Sequence, residues 1–204
     1  MTETRTLRAD AARNRRELLR AAADEFRERG PDASIESIAR RAGIGKGTVF
    51  RHFASKDHLM AAIVTDRLED LGGLAESLAG APDAGAALAD FLAASAERQQ
   101  EQSMAFLAAA DPAVLREAGV EEVRERMFQA VYALVDRARG QGAIRADVTG
   151  PDVVLLMCAP THVAEPLAKA SPDLWRRYLA IILDGLRPDG ARNLPHPAPP
   201  APLP

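Results

Sequence analysis

The chain has 204 residues, of which 47% are apolar and only 4% aromatic, a composition that excludes a wholly disordered chain and favours helices over strands. Its one cysteine, Cys158, excludes an intrachain disulfide and a multi-cysteine zinc site. The net charge of −3 argues against nucleic acid for the chain as a whole, yet residues 1–60 hold 13 basic against 9 acidic residues. This basic N-terminal part indicates contact with phosphate there; chance clustering of surface arginine is the alternative.

The first predicted element is a polar segment, residues 1–9, which lacks the apolar stretch of a signal peptide and is expected to form a flexible arm. Apolar residues then recur at spacings of three, four and seven between Ala11 and Phe26. This spacing predicts a helix with one apolar face that ends near Arg29, because Gly30-Pro31 follows.

Three further helices are predicted in the next forty residues or so. A short one follows Ser34, its expected N-cap, and stops at Gly43. The third spans about residues 46–53. The fourth begins after Ser55, which is expected to cap it, and weakens at Gly72-Gly73.

The rest of the chain has helical patterns and no strand pattern, so the predicted fold class is all-α. Pro160 and Pro166 fall inside one predicted helix and are expected to kink it or divide it in two. The proline-dense tail, residues 188–204, is expected to be disordered or extended. No apolar run approaches the roughly 18 residues of a membrane span, so a cytoplasmic protein with no membrane contact is expected. The helices predicted here are at about 83–109, 112–118, 120–141, 150–170 and 171–187.

Residues 34–63 contain the most informative pattern, two short helices joined by Gly43-Ile44-Gly45. Because Gly43 can adopt the left-handed conformation that ends a helix, the pair is expected to form a helix-turn-helix. Val49 and Phe53 are four residues apart and are expected to face the core. The remaining side chains of the second helix are short or rich in donors, which suits an approach to DNA in the major groove.

Residues 11–63 resemble the tetracycline-repressor (TetR) family of transcription factors. The resemblance lies in Ile38-Ala39, Ala42-Gly43, Lys46-Gly47-Thr48, His52-Phe53 and Ser55-Lys56-Asp57. It implies an N-terminal three-helix DNA-binding domain followed by a larger helical domain for ligand binding and dimerisation. It also implies a set of DNA-binding residues, namely Ser34, Gly45, Lys46, Gly47, Thr48, Phe50, Arg51, His52 and Lys56.

This chain departs from the family pattern at two positions. Phe50 stands where the family usually has tyrosine, so a hydroxyl contact to phosphate is missing. Gly45 stands where serine or threonine is common, so a capping or phosphate-binding hydroxyl is missing. Other readings remain open for single residues: Ser34 as a helix cap only, His52 as a packed histidine, Phe50 as a core residue, and Arg40, Arg41 and Arg51 as a solvated face.

The resemblance implies a homodimer formed by the last two long helices, here about 150–170 and 171–187, that binds a palindromic double-stranded DNA operator. A pocket for a small-molecule effector is expected in the C-terminal domain, although the same side chains suit an ordinary core. Cys158 and His162 share a helical face, but two ligands without a third are weak support for a metal, so neither metal nor cofactor is expected. The pocket candidates are Met104, Phe106, Met127, Phe128, Val131, Tyr132, Met157, Cys158 and His162.

The predicted organisation is an arm at 1–9, a helix-turn-helix domain at 10–55, a helical effector-binding and dimerisation domain at 56–187, and a tail at 188–204. The predicted function is a DNA-binding transcriptional regulator, a repressor released from its operator by a small apolar ligand. The alternative is a DNA-binding factor without a small-molecule effector, controlled by abundance or by a protein partner. An enzyme is not expected, because the sequence shows no nucleophile motif, phosphate-binding glycine loop or metal cluster.

Overall fold

The computed structural model describes residues 2–101, 110–189 and 191–201. Within these ranges the protein consists of α-helices, short 3-10 turns and loops, without a strand, which confirms the all-α prediction. The helices are α1 Thr2–Arg29, α2 Ile35–Arg41, α3 Lys46–His52, α4 Lys56–Leu78, α5 Ala84–Glu101, α6 Pro112–Glu117, α7 Val120–Gly140, α8 Gly150–Leu156, α9 Ala159–Ala164 and α10 Leu174–Leu186.

Two compact units make up the chain. The first comprises Met1–Arg67 and Gln102–Glu121, and the second comprises Leu68–Glu101 and Glu122–Pro204. The first unit therefore extends beyond the expected boundary at residue 55 and includes α6. The reason is burial, because the first half of α4 contributes Leu59 to the apolar core of this unit.

The start of α1 corrects one expectation. Residues 2–9 were expected to form part of a flexible arm, but α1 begins at Thr2. No glycine or proline interrupts the first 29 residues, so the backbone can continue as a helix beyond the apolar stripe that marks its buried part. The apolar pattern therefore marks the part of α1 that packs against other helices, and it does not mark the residue at which α1 begins.

Three helices and the start of α4 enclose the core of the first unit. Phe26 of α1, Ile38 of α2, Val49 of α3 and Leu59 of α4 are all fully or almost fully buried and belong to one apolar cluster. Ala110 and the partly buried Leu115 add to it from the α6 region. Burying side chains of this size contributes about 1.5–3 kcal/mol each, which fixes the short helices that could not persist alone.

The second unit has its own core, built chiefly from α5, α7, α8 and α10. Phe91, Leu134, Val135 and Val153 are buried to 1% exposure or less. Helix α10 packs against both α5 and α9, and Trp175 is the large side chain that α10 buries. This packing leaves other apolar residues of α8 to α10 on the surface.

The expected helix at 150–170 is divided, as its prolines predicted. Helix α8 ends at Leu156, α9 begins at Ala159 with Pro160 in its first turn, and a 3-10 turn over Glu165–Leu167 contains Pro166. Each proline stands near the start of a segment, where its missing N–H removes no helical hydrogen bond.

The described part of the tail, residues 191–201, has no helix or strand. Its first residues nevertheless have a partner, because the Arg145 guanidinium donates a hydrogen bond to the carbonyl of Arg192. The same guanidinium donates to both oxygens of Asp147, at 2.6 and 2.8 Å, and thereby lowers the pKa of that carboxyl. The exposed start of the tail is thus tied to the loop between α7 and α8.

None of the helices in the described ranges combines the length and the apolar character needed to cross a membrane.

Candidate nucleic-acid interface

A tight turn separates α2 from α3. Gly43 has φ of +67°, the left-handed region in which glycine has no steric penalty. Its N–H donates to the Arg40 carbonyl at 3.2 Å, and the Ile44 N–H donates to the Ala39 carbonyl at 3.0 Å. This pair of bonds is the Schellman arrangement, and Ile44 packs against the core as its apolar anchor. The turn predicted at Gly43-Ile44-Gly45 is confirmed and fixes the direction in which α3 leaves α2.

Helix α2 begins with a reciprocal cap. The Ser34 hydroxyl accepts a hydrogen bond from the Ser37 N–H at 3.0 Å, and the Ser37 hydroxyl accepts one from the Ser34 N–H at 3.2 Å. The predicted capping role of Ser34 is therefore confirmed. Because Ser34 is also exposed, its hydroxyl remains accessible to a phosphate oxygen, so capping and phosphate contact are compatible.

Helix α3 buries one face and exposes the other. Val49 is fully buried, and Phe53, at the C-terminal cap, is 5% exposed. The prediction that these two face the core is confirmed. Most of the expected DNA-facing residues are exposed, and Thr48 is half-buried; the exposed set is Gly45, Lys46, Gly47, Phe50, Arg51 and His52.

The exposed face of α3 is rich in donors and has little bulk near its start. Gly45 is the N-cap without a side-chain hydrogen bond, and a side chain added at Gly47 would meet no atom within 4 Å. The Arg51 guanidinium donates to the Thr48 hydroxyl at 3.1 Å, and the Lys46 ammonium lies 5.9 Å from the centre of the Phe50 ring. At 45% exposure the Phe50 ring is at the surface and not in the core.

Lys56 opens α4 and already has partners within the chain. Its ammonium donates a hydrogen bond to the Pro31 carbonyl and lies 5.7 Å from the centre of the Phe26 ring. Ser55, just before it, is the expected cap: its hydroxyl accepts from the His58 N–H at 3.3 Å. Lys56 is half-buried as a residue, and its ammonium is held at the surface near the N-terminus of α4.

A buried carboxylate that the sequence analysis did not find holds α2 against α1. Glu25 of α1 has a side chain only 4% exposed, and its oxygens lie 2.9 Å from Nε of Arg41 and 2.8 Å from Nε of Arg29. Arg41 also binds Glu28, whose pKa it lowers chiefly through that hydrogen bond. Arg41 is thus not merely solvated, as its sequence context had suggested. Sixteen residues separate Arg41 from Glu25, so no local spacing could reveal the pair.

The predicted pocket residues differ in burial in the described chain. Met127, Phe128, Val131 and Met157 are buried and Tyr132 is half-buried. Cys158 and His162 instead lie on the surface, so the structure does not bring them into the interior with the others. Met104 and Phe106 lie outside the described residues.

One groove in the second unit includes a predicted pocket residue. It has a volume of about 300 Å³ and lies between α4 and α7, where Met127 faces Gly72 and Gly73. Within the described ranges no group of three His, Cys, Asp or Glu side chains is placed to hold a metal ion.

A capped short helix, a Schellman turn and an exposed, donor-rich second helix define a helix-turn-helix protein. Comparison with known families agrees. Residues 18–63 match "Bacterial regulatory proteins, tetR family", and residues 83–188 match "Transcriptional regulator SbtR-like, C-terminal domain". Since these matches cover both units, the chain belongs to the TetR family of transcriptional regulators.

Individual relatives fall into two groups. A helix-turn-helix transcriptional repressor of Mycobacterium tuberculosis is 52% identical over 48 residues, which are 23% of this chain and 26% of that protein. The match thus spans about a quarter of the length of such curated relatives. A TetR regulator from Mycobacterium vanbaalenii is 33% identical with a TM-score of 0.64, over 89% of this chain and 99% of the other. One from Streptomyces coelicolor is 28% identical with a TM-score of 0.67, over 86% and 99%.

Proposed function

We propose that the protein is a homodimeric repressor that places α3 of each subunit in the major groove of a palindromic operator. The observation that carries the proposal is the outer face of α3, where exposed donors surround Gly47 and leave room for a close approach to base edges. An exposed glycine in so short a helix contributes nothing to a core and costs helix stability, so close approach is its best explanation.

The proposed contacts divide into two kinds. Lys46, Gly47 and Thr48, at the start of α3, are placed toward base edges, in the part of a recognition helix that usually reads them. The residues around these three are proposed to contact phosphates, and such contacts do not distinguish one base sequence from another. The phosphate-contacting residues proposed are Ser34, Gly45, Phe50, Arg51, His52 and Lys56, with Phe50 contributing its ring alone.

The proposed dimer uses the surface formed by α8, α9 and α10. Large apolar side chains remain 53–57% exposed there in the single chain: Leu155, Val163, Leu167 and Ile181. Lone exposed apolar residues are ordinary, but four on neighbouring segments form a patch that a second copy would cover. The proposed interface thus falls within the expected helices at about 150–170 and 171–187.

Selection of bound duplexes from a random DNA pool, with the full-length protein, tests this proposal. Two-fold symmetry predicts inverted repeats with half-site centres about 34–36 Å apart, or a multiple of that distance. Light scattering is expected to give twice the mass of the 21.9 kDa chain. Recovery of only asymmetric, unrepeated sites by a monomer would overturn the architecture. Derepression of a reporter in a deletion strain tests the repressor role.

We further propose that a small apolar ligand binds the second unit and lowers DNA affinity. The supporting observation is the groove of about 300 Å³ beside Met127, at the lower end of the range for ligand sites. A ligand that prefers the DNA-incompetent state by about 1–3 kcal/mol would change DNA affinity about 5–150-fold.

A regulator without an effector is the second candidate, and a specific observation favours it. Phe128, Val131 and Met157, predicted for a pocket, are buried among other core residues of the second unit. A screen of apolar compounds for release of DNA separates the candidates. Release by a compound that also raises the melting temperature supports the effector, and a screen without any release supports control by abundance or a protein partner.

A further inference from the structure

The first unit has a cleft that shares no lining residue with the groove at Met127. It has a volume of about 410 Å³ and is bordered by Arg15 of α1, the end of α3 at His52 and Phe53, and the face of α4 that carries His58 and Thr65. Its size lies within the range of small-molecule sites. Because the cleft borders the C-terminal end of α3, the helix proposed to contact DNA, a ligand bound there could affect regulation.

The rim of the cleft carries donors. The Arg15 guanidinium lies 4.9 Å from the centre of the Phe53 ring, so the charge stands over the cleft's aromatic wall. His58 has its Nδ1 2.9 Å from the Ser55 hydroxyl oxygen, which already accepts the His58 N–H. Ser55 thus occupies Nδ1, which leaves Nε2 as the ring nitrogen of His58 that is available to a ligand.

The walls of the cleft are apolar below these donors. Ala54, Ala62 and Ala118 line the cleft with their methyl groups, and Phe53, only 5% exposed, borders it with the small part of its surface that remains accessible. None of the described residues that line the cleft is acidic. An arginine and two histidines above an apolar wall are complementary to an anionic head on a compact apolar body.

We propose that this cleft binds a small organic carboxylate whose aromatic or short aliphatic body rests against Ala54, Ala62 and Ala118 and whose carboxylate accepts hydrogen bonds from Arg15 and the histidines. The site is distinct from the proposed effector groove and does not depend on it. Because His52 both borders the cleft and belongs to the proposed phosphate-contacting set, a bound carboxylate competes with DNA for its ring.

Histidine ring NMR on the full-length protein tests the proposal without DNA. The chain has four histidines, two at the cleft and two, His162 and His196, elsewhere in the sequence and absent from its lining. Titration with benzoate is expected to shift the His52 and His58 signals saturably and to leave the other two unchanged. Benzamide, with the same ring and no charge, is expected to shift none of them.

Arg15→Gln and Arg16→Gln are the matched variants, since both arginines are exposed neighbours on α1 but only Arg15 lines the cleft. Arg15→Gln is expected to weaken benzoate binding at least about tenfold, the usual effect of losing a charge-assisted contact, while Arg16→Gln leaves it unchanged. Equal shifts at all four histidines, equal effects of benzoate and benzamide, or equal losses in both variants would overturn the proposal. So would inorganic phosphate binding as tightly as benzoate, because the apolar wall would then contribute nothing.

Discussion

Phe50→Tyr adds a hydroxyl at the exposed edge of the proposed recognition helix. The ring is 45% exposed and Lys46 lies beside it, so the new hydroxyl meets solvent in the free protein and is placed to donate to a phosphate in the complex. One such hydrogen bond contributes about 1 kcal/mol, or about fivefold in affinity. A dimer makes the contact twice, so about thirtyfold tighter operator binding is expected.

Fluorescence anisotropy with a selected operator, over a range of salt concentrations, measures this effect. The slope of log affinity against log salt is expected to stay unchanged, because a neutral hydroxyl displaces no counterion. Phe53→Tyr is the matched control: its ring is only 5% exposed, so the hydroxyl is expected to cost about 1–3 kcal/mol of stability and to improve nothing. Unchanged affinity in a stably folded Phe50→Tyr dimer would refute a phosphate-facing ring.

Three further outcomes are expected. Lys56→Ala weakens binding evenly across DNA sequences and flattens the salt slope by about one unit, and an unchanged slope would exclude its phosphate contact. Deletion of residues 188–204 leaves fold, dimer and DNA binding intact and changes the melting temperature little, because the bonds that the tail makes to Arg145 and Asp147 are at the surface; a large drop in melting temperature by calorimetry would mean that the tail is a structural element. Gly73→Leu fills the groove beside Met127, at a position where an added Cβ meets no atom within 4 Å, and ligand-induced release that persists unchanged in a folded Gly73→Leu dimer would place the effector elsewhere.

The helix-turn-helix could be predicted because its determinants are local. A cap at Ser34, a left-handed glycine at Gly43 and apolar residues four apart at Val49 and Phe53 all act within about twenty residues of chain. The breaks at Pro160 and Pro166 were predictable for the same reason, since a missing N–H acts on its own turn.

The contacts that the sequence did not reveal are those between distant segments. Glu25 contacts Arg41 only because α1 and α2 pack together. Arg145 contacts Arg192 although the whole of α10 separates the two residues in the sequence. The exposure of Cys158 and His162 was not foreseen for a related reason: helical periodicity placed them on one face, but it could not tell an inward from an outward face. Which face is buried is decided by the neighbouring helices.

Lys56 illustrates how folding prepares a side chain for a task performed later. Fixing a free lysine side chain costs about 1.5–2 kcal/mol in rotamer entropy. In this protein the bond to the Pro31 carbonyl and the neighbouring Phe26 ring already restrict that side chain in the absence of DNA. Much of the rotamer entropy of Lys56 is therefore lost during folding and not during DNA binding. The proposed phosphate contact then gains affinity with little further loss of side-chain entropy. Replacing the Phe26 ring would then weaken DNA binding through an ammonium that the substitution leaves chemically unchanged.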